Sequence, residues 1–159
     1  MSLADVHDKP GHLIRRCQQI AVALFLHHCG AFDLTPMQYA VMRAVEAEAG
    51  IDQITLAGLL ALDRSNVARL CGVLEERGLL HRLPDPRDRR SRRLTLTTQG
   101  ETLLRDVEPA VRCMQDDLLS PLAAAERTAF IAALQRIAEA HNEHSRAPLR
   151  RAADDDAGL

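Results

Sequence analysis

The chain has 159 residues, a formal charge of −2 and 47% apolar residues, with three Phe, one Tyr and no Trp. That is enough for one domain with helical extensions and a Leu/Ala/Val/Ile core that needs no disulfide or metal staples. The longest apolar run, Ile20 to Leu26, is far short of the ~20 residues of a membrane span. Nothing at the N-terminus resembles a signal peptide, and Cys17, Cys29, Cys71 and Cys113 form no CxxC pair; the expectation is a cytoplasmic chain with reduced thiols and no membrane partner.

In chain order, residues 10 to 29 read as a helix, with Pro10 suited to its first turn and Leu13, Cys17, Ile20 and Leu24 recurring at helical spacing. Its polar face carries His12, Arg15, Arg16 and Gln19. A second helix opens at LTPMQYAVM, where Thr35 caps, Pro36 takes the first helical position and Gln38 completes a capping box. Two short helices follow, capped by Asp52 and Asp63 and joined through only Ala61 to Asp63; the second stops at Gly78. So tight a joint before an amphipathic helix is the pattern of a helix-turn-helix. Val67, Leu70, Cys71 and Leu74 share its apolar stripe, while Ser65, Asn66 and Arg69 lie away from it, near the end at which a recognition helix meets base edges.

After Gly78 the apolar period changes from that of a helix to that of a strand. LLHRL and RRLTLT read as a hairpin around Pro84 and Pro86, which in this position is a wing. Thr97 caps a long helix through Leu122, with Pro109 inside it as an expected kink. Residues 123 to 142 form a last amphipathic helix, and the charged tail from Ser145 is expected to be mobile. The predicted fold is mainly α with a small β-hairpin, an α+β winged helix-turn-helix. Its parts are an N-terminal helix (1–34), a DNA-binding domain (35–100), a long and a C-terminal helix (101–144) and the tail (145–159). The first and last helices carry apolar stripes that a small winged domain could not cover alone, so dimerisation is expected of 1–34 and 101–144.

The charge is unevenly placed. Residues 82 to 93 hold six arginines against two aspartates, so this window is +4 and the remaining residues together are −6. An isolated arginine run is usually a solvated loop. One hairpin after a capped helix-turn-helix it fits a polyanion instead: arginine enters a narrow minor groove while the neighbouring helix reads the major groove. The acidic remainder leaves one face attractive to DNA.

DPRDRRSRRLTLTTQG (85–100) closely resembles the wing signature of MarR-type regulators, and LAGLLALDRSNVARLCGVLEERGLL their helix-turn-helix. LTPMQYAVM and SPLAAAERTAFIAALQRI are similar to that family's second and closing helices, so the resemblance spans about residues 10 to 143. Ala61 departs from it, standing in a turn that often carries Gly. The resemblance implies a homodimer on a pseudo-palindromic operator, with half-sites about 34 Å apart. It places Ser65, Asn66 and Arg69 toward the major groove and Arg64 near phosphates. Arg87, Arg89 and Arg90 become the wing tip, with Asp88 shaping it. Arg92 and Arg93 point to opposite faces of their strand, so at most one meets the duplex, and Arg92 is the candidate.

HLIRRCQQIAVALF, followed by DLTPMQYAVM and GIDQITLAGLL, is most similar to the subgroup controlling aromatic and heteroaromatic acid catabolism, including repressors of nicotinate degradation that respond to a hydroxylated nicotinic acid. An acid pocket needs a cation, hydrogen-bond donors and an apolar wall. At the seam between the first two helices and the long helix the candidates are His12, Arg15, Arg16, Gln19, His28 and Tyr39, with Arg15 or Arg16 gripping the carboxylate. Competing readings are a dimer salt bridge for either arginine, and a core position for Tyr39. A metal or oxidant sensor is a further alternative, as is an architectural DNA-binding protein with no effector. No zinc-ligand spacing is present, and the adjacent His27 and His28 diverge by about 100° on a helix. Cys17 and Cys71 fall on apolar stripes, which favours packing over thiol chemistry. No nucleophile–base pair, metal motif or phosphate-binding glycine loop appears, so neither catalysis nor a cofactor is expected.

Overall fold

The structure is a computed structural model, and it describes residues 6–86 and 91–150. In chain order the elements are α1 Pro10–Cys29, α2 Pro36–Ala47, α3 Gln53–Leu59, α4 Arg64–Glu76, β1 Leu80–Pro84, β2 Arg92–Leu96, α5 Thr98–Leu118 and α6 Ala124–Ala140. Single 3-10 turns follow α1 and α6. The wing-tip candidates Arg87, Arg89 and Arg90, with Asp88, lie outside the described residues.

Each helix of the winged core starts where its cap predicts. Thr35 Oγ1 accepts from the Gln38 N–H at 3.2 Å while Gln38 Oε1 accepts from the Thr35 N–H at 2.9 Å. Asp52 accepts from the backbone of Ile54 and Thr55, Asp63 from that of Asn66, and Thr97 from that of Gly100. These bonds satisfy first-turn donors that a helix leaves without intrahelical partners. Gly78, at φ +69°, ends α4 and turns the chain into the wing. Its left-handed backbone is accessible to glycine without steric cost.

β1 and β2 pair antiparallel from Leu80↔Leu96 to Pro84↔Arg92. An isolated bridge, Asp52↔Arg93, ties the segment before α3 to β2, unnoticed in the sequence: the Gly50 N–H donates to the Leu94 carbonyl at 2.8 Å and the Leu94 N–H to the Ile51 carbonyl at 2.9 Å. Leu94 is fully buried. It binds the wing's root to the core made by Val41, Met42 and Val45 of α2, Leu56 of α3, and Val67, Cys71 and Leu74 of α4.

α5 runs unbroken through Pro109 and buries Leu104, Val107, Val111 and Met114. Phe25 and Cys29, at the end of α1, join the same core. The front of α1 does not: Leu13, Ile14 and Ile20 are 45–49% exposed. Cys17 is exposed as well, so the expected packing of its thiol does not occur within this chain; Cys71 is buried as expected. α6 buries no residue at all, leaving Phe130, Ile131, Leu134 and Ile137 open. Residues 145–150, expected to be mobile, are hydrogen-bonded back onto Asn142 and Gly58.

Candidate nucleic-acid interface and effector seam

α4 is fixed on one side and open on the other. Val67, Leu70, Cys71 and Leu74 are buried, while Arg64, Ser65 and Arg69 are exposed and Asn66 half-buried. The helix therefore cannot roll without uncovering the core, and its polar face is held outward beside the wing. Among the described residues neither Arg64 nor Arg69 makes an ion pair. With respect to the described residues, both guanidiniums are free to meet an anion.

Ser65 and Asn66 are already engaged. Ser65 Oγ donates to Asp63 Oδ1 at 2.6 Å and Asn66 Nδ2 to Asp63 Oδ2 at 2.9 Å, in addition to the capping bond from the Asn66 backbone. Hydrogen bonds from the Ser65 side chain and the Asn66 backbone, with the nearby Arg146 cation, hold the Asp63 carboxyl below its usual pKa. Base contact by Ser65 or Asn66 therefore trades an existing bond for a new one, which makes their contribution smaller than that of a free donor.

On the wing, Arg93 turns inward, its Nε donating to Asp85 Oδ2 at 2.9 Å. Arg92 is exposed. Of the two arginines, Arg92 is thus the one available outside the hairpin.

The six effector candidates separate into three places. On α1, Arg15 Nη1 donates to Gln19 Oε1 at 3.0 Å. His12 shares that neighbourhood: slight burial, together with Arg15, His7 and Arg16, lowers its pKa. His28 lies twelve residues beyond Arg16, roughly 18 Å along the helix, and Nε2 contacts Asp117 Oδ2 of α5 at 3.0 Å. Tyr39 packs against Phe25 and donates its hydroxyl to Glu108 Oε2 at 2.9 Å. Burial, with the Glu108 hydrogen bond and charge, pushes its pKa up to about 12. One protomer does not gather these six groups around a small molecule.

Asp117 and Glu108 are the partners the sequence reading missed, because neither lies near His28 or Tyr39 in the chain. A cleft of about 440 Å³ beside Glu108 is lined by Arg43, Glu46, Glu101, Leu104, Arg105, Glu108 and Arg112. Its three arginines are matched by three glutamates, and Arg43 is paired with Glu46, so it offers an acid no net positive charge. Among the described residues no three His, Cys, Asp or Glu side chains converge on a metal-sized site, and no single helix is long and apolar enough to cross a membrane.

A polar helix face fixed by its buried side, a two-strand wing hinged on the same core and two long helices with uncovered apolar faces define a winged helix-turn-helix regulator of transcription. The MarR-family model matches residues 32–91. Transcriptional regulator HosA of Escherichia coli O111:H- is 31% identical over 135 residues, 85% of this chain and 98% of that protein. The chain belongs to the MarR family.

Two solved structures extend the likeness. The PcaV transcriptional regulator of Streptomyces coelicolor, in complex with its natural ligand, superposes with a TM-score of 0.82 at 38% identity, over 88% of this chain and 99% of that one. Bordetella bronchiseptica BpsR, whose DNA binding is regulated by 6-hydroxynicotinic acid, superposes with a TM-score of 0.79 at 29% identity, over 83% and 94%.

Proposed function

We propose that this chain is a homodimeric, sequence-specific repressor in the cytoplasm, released from a pseudo-palindromic operator by a small aromatic or heteroaromatic carboxylic acid. A hydroxylated nicotinic acid is the first candidate. The observation that carries the DNA reading is α4, whose apolar side is locked in the core while Arg64, Ser65 and Arg69 face solvent. Ser65, Asn66 and Arg69 read the major groove and Arg64 seats a phosphate. Arg92 supports a wing whose tip, Arg87, Arg89 and Arg90, enters the minor groove.

The likeness to BpsR supports the effector class and that to PcaV a bound small molecule, and the separation of the six candidates shapes the mechanism. Within one chain Arg15 and Arg16 lie in the first half of α1, whereas Tyr39 of α2, bonded to Glu108 of α5, meets α1 further along, at Phe25. A second copy, covering the exposed front of α1 and the open face of α6, brings the missing half. The acid site is then composite, with Arg15 or Arg16 of one protomer gripping the carboxylate against Tyr39 and His28 of the other. Binding across the two-fold changes the spacing of the recognition helices, and a coupling of about 1–3 kcal/mol alters operator affinity about 5- to 150-fold.

Isothermal titration of the dimer with 6-hydroxynicotinate, protocatechuate and benzoate tests this reading. One acid should bind at micromolar concentration and lose at least tenfold affinity in both Arg15→Ala/Arg16→Ala and Tyr39→Phe/His28→Ala. Binding indifferent to either pair contradicts the composite site. Heat from none of these acids overturns the acid-effector reading for this panel.

A further inference from the structure

After α6 the chain turns back onto the helix-turn-helix. Asn142 clasps the return: its Nδ2 donates to the Leu149 carbonyl at 3.0 Å and its Oδ1 accepts from the Leu149 N–H at 2.8 Å. Ser145 closes the turn between them, its Oγ donating to the Ala147 carbonyl at 3.0 Å. The Arg150 N–H then donates to the Gly58 carbonyl of α3 at 2.9 Å. Arg150 also lies flat on that helix: a Cβ on Gly58 would stand 3.1 Å from its own Cβ.

This return sets Arg146 beside the start of α4. Its Nη2 is 3.7 Å from Asp63 Oδ2, and the side chain is 90% exposed. At that distance the contact is a loose ion pair rather than a hydrogen bond, so the donors of the guanidinium fork remain open. The charge has a reason to be there. Asp63 caps α4 with a carboxylate, at the end of the helix that approaches the DNA backbone, where a negative charge repels phosphate. A cation in this position offsets it and, with its place set by the bonds of its neighbours Ser145 and Ala147 rather than by its own side chain, can still swing to an oxygen of its own.

We propose that the 145–150 return is part of the nucleic-acid surface and that Arg146 takes a backbone phosphate next to the N-terminus of α4. The inference rests on the reading of α4 as the DNA-facing helix. It adds a cation from the C-terminal segment to a surface otherwise built from α4 and the wing. A phosphate contact carries no base information, so it contributes affinity and orientation rather than sequence preference.

The test is the salt dependence of duplex affinity, read by fluorescence anisotropy on the DNA upstream of the chain's own gene and on a scrambled duplex. The proteins are the full chain, Arg146→Ala, Asp63→Asn and the double variant. Asn caps a helix as well as Asp does, so Asp63→Asn removes the charge and keeps the cap. Arg146→Ala should weaken both duplexes alike, leave the thermal transition unchanged, and flatten the plot of log K against log salt. The expected change is about 0.9 per contact, hence roughly 2 for a two-fold dimer. The same loss should persist in the Asp63→Asn background. Unchanged affinity and slope overturn the proposal. So does a loss that vanishes with Asp63→Asn, which makes Arg146 a screen for that carboxylate, and so does tighter binding, which makes the return a strap over the surface. If the unaltered protein binds neither duplex, the DNA reading itself falls and takes this inference with it.

Discussion

The winged core and the terminal helices are written in the same alphabet of leucine, alanine and valine at helical spacing, yet they end in opposite environments. In α2, α4 and α5 the apolar stripe is closed over within the chain, with Val41, Met42, Val67, Leu74 and Val107 at or near complete burial. In α1 the stripe is buried only toward its end, at Phe25 and Cys29, and in α6 nowhere. The difference teaches what periodicity does and does not encode. It marks a face as apolar, and only the count of available neighbours decides whether that face is filled from inside or from a second copy.

The sharpest way to break this contrast is to charge the open face. Phe130→Glu with Leu134→Glu should abolish the dimer in sedimentation velocity, because two carboxylates buried without partners cost several kcal/mol. The winged core should keep its far-UV signature. A dimer that survives the double substitution contradicts the assignment of α6 as interface.

The closed face breaks differently. A Cβ on Gly100 would stand 2.2 Å from the Leu79 carbonyl oxygen, which is backbone and cannot step aside like a side-chain tip. Gly100→Ala should therefore pry α5 from the root of the wing and destabilise the fold by about 1–3 kcal/mol, as overpacking does. An unchanged melting temperature would show that the two elements are not held this closely.

The smallest effect is a gain. Ala61 sits at φ +50° in the turn between α3 and α4, where a side chain is strained. Ala61→Gly should relieve that strain and stabilise by about 1 kcal/mol, raising Tm by roughly 2–4 °C without moving the dimer equilibrium. A loss of stability would mean that the turn tolerates its Ala at no cost.

Much of the fold was legible because its signals are local. The Thr35–Gln38 box and the Asp52, Asp63 and Thr97 caps each act within three or four residues, and the strand period after Gly78 is a run of neighbours. Ala61 was legible too, as a residue other than Gly in a turn that favours it. What stayed hidden joins distant positions. The bridge from Gly50–Ile51 to Leu94, the Tyr39–Glu108 and His28–Asp117 pairs and the Arg146–Asp63 contact link residues tens of positions apart, and nothing in a one-dimensional pattern says which groups will face each other. The effector candidates show the same limit. His12, Arg15, Arg16, Gln19, His28 and Tyr39 were expected to meet at the seam of the first two helices and the long helix, and the structure spreads them along α1 and onto α2 because α1 runs for 20 residues.

One measurement bears most directly on the central claim, that a fixed α4 and its wing read DNA. Anisotropy titrations should compare the duplex upstream of the chain's own gene with a scrambled duplex of equal length and composition, at several salt concentrations. The account predicts binding to the native duplex at least roughly 10³-fold tighter than to the scrambled one, weakening steeply with salt. Equal affinity for the two sequences would contradict it and leave a protein that holds DNA without reading it.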